Sequence, residues 1–193
     1  HNLLHTHYHP RPRKAPVLLQ SSTRAMPSSL ADAGGDDNGV LVVFGTQSGT
    51  AAQAAKEIKV ELQQFISLSK LDTEPSVGLV AANALSPEMI MTKVRASLAT
   101  IFVTSTYGEG EFPETMLKLW EYMEGYDKGM VTDHPIRFAV FGLGSSMYAV
   151  GDQYNRAARR LDKRLEEMGG SRIIDVGLGD DQDSELYRGA MDK

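Results

Sequence analysis

At 193 residues, 41% hydrophobic and 23% charged, the chain has room for one ordinary globular domain with a core and is too short for two full-sized ones. It has no cysteine, which excludes a disulfide framework, a thiolate metal site, an iron-sulfur cluster of its own and a cysteine nucleophile, and which fits a reducing compartment. A net charge of −5 argues against a nucleic-acid binder, and no apolar run is long enough to span a membrane.

The charge is split along the chain. Residues 1–35 hold four basic residues (Arg11, Arg13, Lys14, Arg24) and one acid, Asp32, leaving 16 basic and 24 acidic residues over 36–193, a net of −8. Residues 1–38 read as a tail, linker or targeting segment: they carry His1, His5, His7 and His9, four prolines, and a flexible close at Gly34-Gly35-Asp36-Asp37-Asn38. An Arg- and Ser-bearing, nearly acid-free composition is also that of a mitochondrial or plastid transit peptide. The lack of an initiating Met favours a linker or an added remnant, and the histidines read as solvated rather than metal-binding.

From Gly39 onward, apolar β-rich runs alternate with helical patterns. Val40 to Phe44 is a continuous apolar run, as expected of a strand buried on both faces. Ala51, Ala55, Ile58, Leu62 and Phe65 recur at helical spacing after it. Val77 to Ala82 is a second strand, Pro87 opens a helix to about Ser97, and Thr100 to Thr104 is a third strand. Pro113 starts a helix with Met116, Leu117, Trp120 and Met123 on its apolar side, which the loop Gly125 to Pro135 ends. Ile136 to Phe141 is the fourth strand. A stripe of Tyr154, Ala157, Ala158, Leu161, Leu165 and Met168 marks a helix closed by Gly169-Gly170. Arg172 to Val176 reads as the fifth strand, and from Asp183 a last helix opens and is cut short. Strands and helices in this alternation predict a doubly wound three-layer α/β domain over 39–193, with a parallel sheet and a ligand site off the carboxyl ends of the strands.

Four loops fall at that edge. Thr46-Gln47-Ser48-Gly49-Thr50 has three hydroxyls at alternate positions, a glycine, and the amides of a helix start, which suit a monophosphate; it lacks the lysine of nucleoside-triphosphate loops. A plain strand-to-helix turn capped by one hydroxyl is the other reading. Ser105-Thr106-Tyr107-Gly108-Glu109-Gly110-Glu111-Phe112-Pro113 sets an aromatic among glycines and can clasp a flat ligand. Gly142-Leu143-Gly144-Ser145-Ser146-Met147-Tyr148 brings a second aromatic, and Gly177 to Glu185 is acidic, suiting a docking rim more than a metal site.

Together with Leu-Asp-Lys-Arg-Leu-Glu-Glu-Met-Gly-Gly, these loops resemble the flavodoxin-like FMN domain of the NADPH-dependent diflavin reductases, over roughly Val40 to the C-terminus. The family includes NADPH-cytochrome reductases, sulfite reductase flavoproteins and pyruvate:NADP+ oxidoreductases. The resemblance implies a five-stranded sheet in order 2-1-3-4-5. It implies that Thr46, Gln47, Ser48, Gly49, Thr50 and Ala51 hold the FMN phosphate. Ser105, Thr106, Tyr107, Gly108 and Gly110 then lie along the isoalloxazine, with the Gly108 peptide rotating toward its N5, while Leu143, Gly144, Ser145 and Tyr148 cover the other face and Asp180 borders the ring. One departure stands out. The family's aromatic is followed two residues later by Phe-Asn, whereas here five residues separate Tyr148 from Tyr154-Asn155; Tyr148 keeps its distance from the strand and is the preferred stacking residue.

The implied function is an electron relay: electrons from NADPH arrive through an FAD/NADPH-binding domain beyond Lys193 and leave singly to a haem or iron-sulfur acceptor. That acceptor would dock on the acids Glu109, Glu111, Asp180, Asp181, Asp183 and Glu185. The residues resemble no nicotinamide site. A free-standing flavodoxin-type carrier and a flavin-free module on the same fold remain alternatives. A receiver-type signalling domain needs an acidic pocket at the end of the first strand, where this chain has Phe44-Gly45-Thr46.

Overall fold

The computed structural model describes residues 39–126, 135–148 and 152–191, with the side chain of Tyr148 left out. The expectations for residues 1–38, the N-terminal histidines among them, therefore lie outside the described residues. The strands are β1 (Val40–Gly45), β2 (Val77–Ala81), β3 (Ala99–Ser105), β4 (Arg137–Gly144), β5 (Ser171–Arg172) and β6 (Gly177–Asp180). The helices are α1 (Thr50–Leu68), α2 (Pro87–Ala96), α3 (Glu114–Glu124), α4 (Arg156–Glu167) and the one-turn α5 (Arg188–Met191). No described helix is long and apolar enough to cross a membrane.

The sheet runs in the order β2-β1-β3-β4-β5, all parallel, with β6 also paired to β4. β1 is an interior strand, and its unbroken apolar run follows from that position: Val42 lies between Leu79 of β2 and Ile101 of β3, and Leu41, Val42 and Val43 are fully buried. Alternation along the strand sends side chains to opposite faces. Leu41, Val43 and Phe102 join the core built with α2, α3 and α4, where Met116, Trp120, Leu161 and Leu165 pack. Val42, Val103 and Phe141 face α1 and Tyr187.

Four expectations are corrected by packing. The fifth strand is two pieces, Ser171–Arg172 and Gly177–Asp180, rather than Arg172 to Val176. Phe138 of β4 pairs with Arg172 and Phe141 with Gly177, so Ala139 and Val140 face the four residues Ile173 to Val176. The surplus leaves the ladder, and Ile173 and Ile174 are exposed. The chain rejoins β4 at Gly177, where a Cβ would lie 2.5 Å from the Phe141 ring. On α1 the inward face continues from Leu62 to Ile66, four residues on, so Phe65 falls on the flank and is 69% exposed. On α3 the same geometry puts Leu119 in the core and Leu117 outside it. Tyr154 precedes α4 instead of joining its stripe. The polar Asp162 does face inward there, held by a bidentate pair with Arg172 (2.8 Å on both arms) that ties α4 to β5.

Candidate functional site

The carboxyl ends of β1, β3, β4 and β6 come together, and between the loops that leave them lies a cavity of about 620 Å³. Its size is that of ordinary small-molecule sites. Each loop supplies a different part of its chemistry.

The loop after β1 presents Ser48 and Thr50 to the cavity, their hydroxyls 3.3 Å apart. Behind them α1 begins without a side-chain cap, because the N-cap is Gly49, in the left-handed region at φ 99°. The first amides of α1 therefore have no intrahelical acceptor and no hydroxyl lid, which leaves them for an anion. The loop is stiffened from within, since the Gly49 N–H donates to Thr46 Oγ1 at 2.9 Å. Thr46 and Gln47 do not line the cavity. The Thr46 N–H donates to Thr115 Oγ1 (2.7 Å), and Gln47 Oε1 accepts the Glu114 N–H (3.1 Å). Ala51 is fully buried against the sheet, so only its backbone is placed to serve a ligand.

The loop after β3 presents Ser105, Thr106, Tyr107 and Gly108 to the cavity. It is a tight turn: Tyr107 and Glu111 exchange backbone hydrogen bonds of 2.9 and 2.8 Å, and Gly108 and Gly110 carry φ of 52° and 103°. The Tyr107 ring stands out from this turn and is 55% exposed. Gly110 lies behind the cavity wall, where a Cβ would meet Arg156 Cδ at 2.6 Å; it lets α4 support the turn.

The loop after β4 lines the cavity with Leu143, Gly144 and Ser145. Tyr148 ends the short 3₁₀ turn that follows, Ser146–Tyr148, and its ring lies outside the described residues. Tyr154, the other candidate for stacking, is engaged elsewhere: its hydroxyl donates to the Leu178 carbonyl at 3.1 Å, and the Arg159 guanidinium lies 5.9 Å from its ring centre. Burial, and after it the negative charge of Asp180, push the Tyr154 phenol above its ordinary pKa. Asn155 is fully buried and donates to the Gly179 carbonyl at 2.9 Å, bracing β6 beside the cavity. It packs so closely that a Cβ on Gly142 would lie 2.6 Å from its Oδ1.

Asp180 does not line the cavity. Its carboxylate accepts the Ser146 and Gln182 N–H groups at 2.9 and 3.0 Å. Burial pushes its pKa up, but the hydrogen bonds from Ser146 and Gln182 outweigh that and hold it below the ordinary range. The next residue, Asp181, lines the cavity instead, together with Gln153, Gly179, Leu186 and Tyr187. Sequence reasoning missed Gln153, Leu186 and Tyr187. The available signal was the apolar pair Leu186-Tyr187 inside an otherwise polar stretch, which marks a turn folded back on the domain. Leu186 sits at φ 55°, and the Tyr187 hydroxyl reaches Glu57 on α1 at 3.1 Å.

The residues fit a phosphorylated, planar ligand. Ser105 Oγ and Thr106 Oγ1 are buried with no partner, on residues that line the cavity, and buried hydroxyls of that kind call for an acceptor or donor from a bound molecule. Two hydroxyls at an uncapped helix start and a tyrosine with glycine backbone line the same cavity.

Comparison with known proteins points the same way. The flavodoxin family model matches residues 42–193. NADPH-dependent diflavin oxidoreductase 1 of Arabidopsis thaliana is 34% identical over 154 residues, 79% of this chain and 22% of that protein. The human NADPH-cytochrome P450 reductase is 29% identical over 142 residues, 74% of this chain and 19% of that protein. This chain thus spans about a fifth of the length of these relatives. Among solved structures, a Streptococcus pneumonia flavodoxin aligns with a TM-score of 0.60 at 17% identity, over 79% of this chain and 92% of that one. A cysteine-to-alanine mutant of a Pseudomonas aeruginosa flavodoxin aligns with a TM-score of 0.56 at 23% identity, over 79% and 89%. These likenesses support the fold, and the family match adds the cofactor class: the chain belongs to the flavodoxin family, whose fold binds FMN.

Proposed function

We propose that residues 39–193 are the FMN-bearing electron-transfer domain of an NADPH-dependent diflavin reductase. Electrons reach it from an FAD-bearing domain and leave singly for a haem or iron-sulfur protein. The observation that carries the reading is the convergence of a phosphate-type helix start and a tyrosine-glycine turn on one cavity at the strand ends.

When bound, FMN supplies the ability to take electrons in pairs and release them one at a time. Ser48, Thr50 and the first amides of α1 would hold its phosphate. Tyr107 and Gly108 would contact the ring, and Leu143, Gly144 and Ser145 would help exclude water from it. Stacking on tyrosine favours the flat, electron-poor oxidised ring, and the neighbouring carboxylates disfavour added negative charge; both lower the potential. Glu109, Glu111, Asp181, Asp183 and Glu185 are exposed beside the cavity and offer a basic partner a docking rim. The diflavin reductase assignment draws its support from the curated relatives, and the relay role from the absence of a nicotinamide motif in the chain.

The test is spectroscopic. The purified chain takes up added FMN to give a yellow protein, is reduced by dithionite, and is not reduced by NADPH alone. Once reduced, it passes electrons to a basic haem protein such as cytochrome c, at a rate that falls as salt is added. A colourless chain that ignores FMN sinks the proposal. Oxidation of NADPH by the chain unaided sinks the relay role.

A further inference from the structure

Strand β1 ends at Gly45, and with it the ladder that satisfies backbone groups. The next peptide, Thr46, is served by one side chain from 69 residues on. Thr115 Oγ1 accepts the Thr46 N–H at 2.7 Å and donates its own proton to the Thr46 carbonyl at 2.9 Å, so one hydroxyl serves both backbone groups of one residue. Thr115 stands in the first turn of α3, and Gly45 is what lets that turn come close: a Cβ there would lie 2.6 Å from Met116 Cβ.

A third bond runs alongside. The N-cap of α3 is Pro113, which offers no side-chain acceptor, and Gln47 Oε1 takes the Glu114 N–H instead. Three hydrogen bonds therefore fasten the loop after β1 to the start of α3. In turn, α3 is the direct continuation of the turn that carries Tyr107 and Gly108. Within the loop, Thr46 Oγ1 holds the Gly49 N–H, and Gly49 sets where α1 begins. The placement of Ser48, Thr50 and the open helix amides thus depends on the Thr46 peptide, and that peptide depends on Thr115.

We propose that Thr115 is a positioning residue for the phosphate end of the cavity, acting through the Thr46 peptide without touching the ligand. The inference rests on the FMN reading and adds to it a residue outside the cavity lining.

The full 193-residue chain, as wild type, Thr115→Val, Thr115→Ser and Gln47→Ala, is titrated with FMN and with riboflavin, which has the ring but no phosphate. Thr115→Val keeps the shape and loses both bonds, so FMN affinity falls about tenfold while riboflavin affinity stays within about twofold. Thr115→Ser restores FMN binding, and Gln47→Ala shows a smaller loss that is again confined to FMN. Unchanged FMN affinity in Thr115→Val overturns the inference. Equal losses for FMN and riboflavin overturn it too, because they assign Thr115 to folding alone. Should Thr115→Val fail to fold, Gln47→Ala decides: an unaltered ratio of FMN to riboflavin affinity overturns the inference. A wild-type chain that binds neither flavin overturns the FMN reading, and the inference with it.

Discussion

The cavity at the strand ends and the groove between α1 and the β4 side of the sheet are close in size, about 620 and 700 Å³, and opposite in chemistry. Hydroxyls of Ser48, Thr50, Ser105 and Thr106, glycine backbone and uncapped helix amides converge on the first. The second is walled by Ile58, Leu62, Phe65, Ile101, Phe141 and Val176, with Glu61 and Asp175 at its border. Volume alone does not separate them. Polar groups that lack partners do, because they carry an unmet demand that a specific ligand satisfies, whereas an apolar wall accepts any apolar surface.

The largest expected effect breaks the comparison at its first term. Replacing Ser48 and Thr50 together by Ala removes the two hydroxyls proposed to hold the phosphate, about 3 kcal/mol, or roughly a hundredfold in FMN affinity by fluorescence titration. Unaltered affinity would show that the phosphate sits elsewhere.

Next in size is Asn155, which braces the floor of the ring end. It is buried, occupies the left-handed region at φ 52°, and donates to the Gly179 carbonyl. Asn155→Ala leaves that carbonyl unpaired and forces alanine into a conformation it resists, costing about 2–3 kcal/mol in chemical denaturation. Asn155→Gly recovers part of this, since glycine accepts the backbone angle. Equal costs for the two would show that backbone strain plays no part.

The contrast between local and distant contacts also explains what the sequence made legible. The first four strands and three of the loops at their carboxyl ends follow from short-range signals, an apolar run at Val40–Phe44, glycines at turns and hydroxyls at a helix start, whereas the sheet order comes from the family resemblance. What local pattern does not show depends largely on partners far along the chain. Thr115 bonds the Thr46 peptide, Gln47 Oε1 takes the Glu114 N–H, and the Asp180 carboxylate accepts the Ser146 N–H as well as the nearby Gln182 N–H. The split of the fifth strand arises from a count of residues between Phe138 and Phe141 against those between Arg172 and Gly177, which no local pattern encodes.

A smaller effect tests the link between the cavity and α1. Tyr187 lines the cavity, and its hydroxyl donates to Glu57 on α1; Arg188 and Gln53 bond the same carboxylate. Those bonds, from Arg188 first and then Gln53 against the upward push of burial, with Tyr187 adding, hold the Glu57 pKa below its ordinary value. A depressed carboxylate stabilises the fold above its unfolded pKa, and the contribution fades as pH falls through the folded value. Tyr187→Phe costs about 1 kcal/mol at pH 7. Its gap from wild type narrows from about pH 5 downward, and a gap that is constant with pH removes the Glu57 bond as the cause.

The smallest expected effect sharpens the second term of the comparison. Phe65 is the exposed aromatic of the groove wall, at 69%, on a helix whose inward phase runs through Leu62 and Ile66 instead. Phe65→Ser in this 193-residue chain therefore removes little buried surface, and stability stays within about 0.5 kcal/mol. FMN affinity is unchanged as well, because no residue of the phosphate or ring loops touches the groove. A loss of stability well above that figure would mean that the ring is covered in solution and that the groove belongs to the core. A loss of FMN affinity alone would mean that the sheet transmits strain from one concavity to the other, and the two would then have to be treated as a single site.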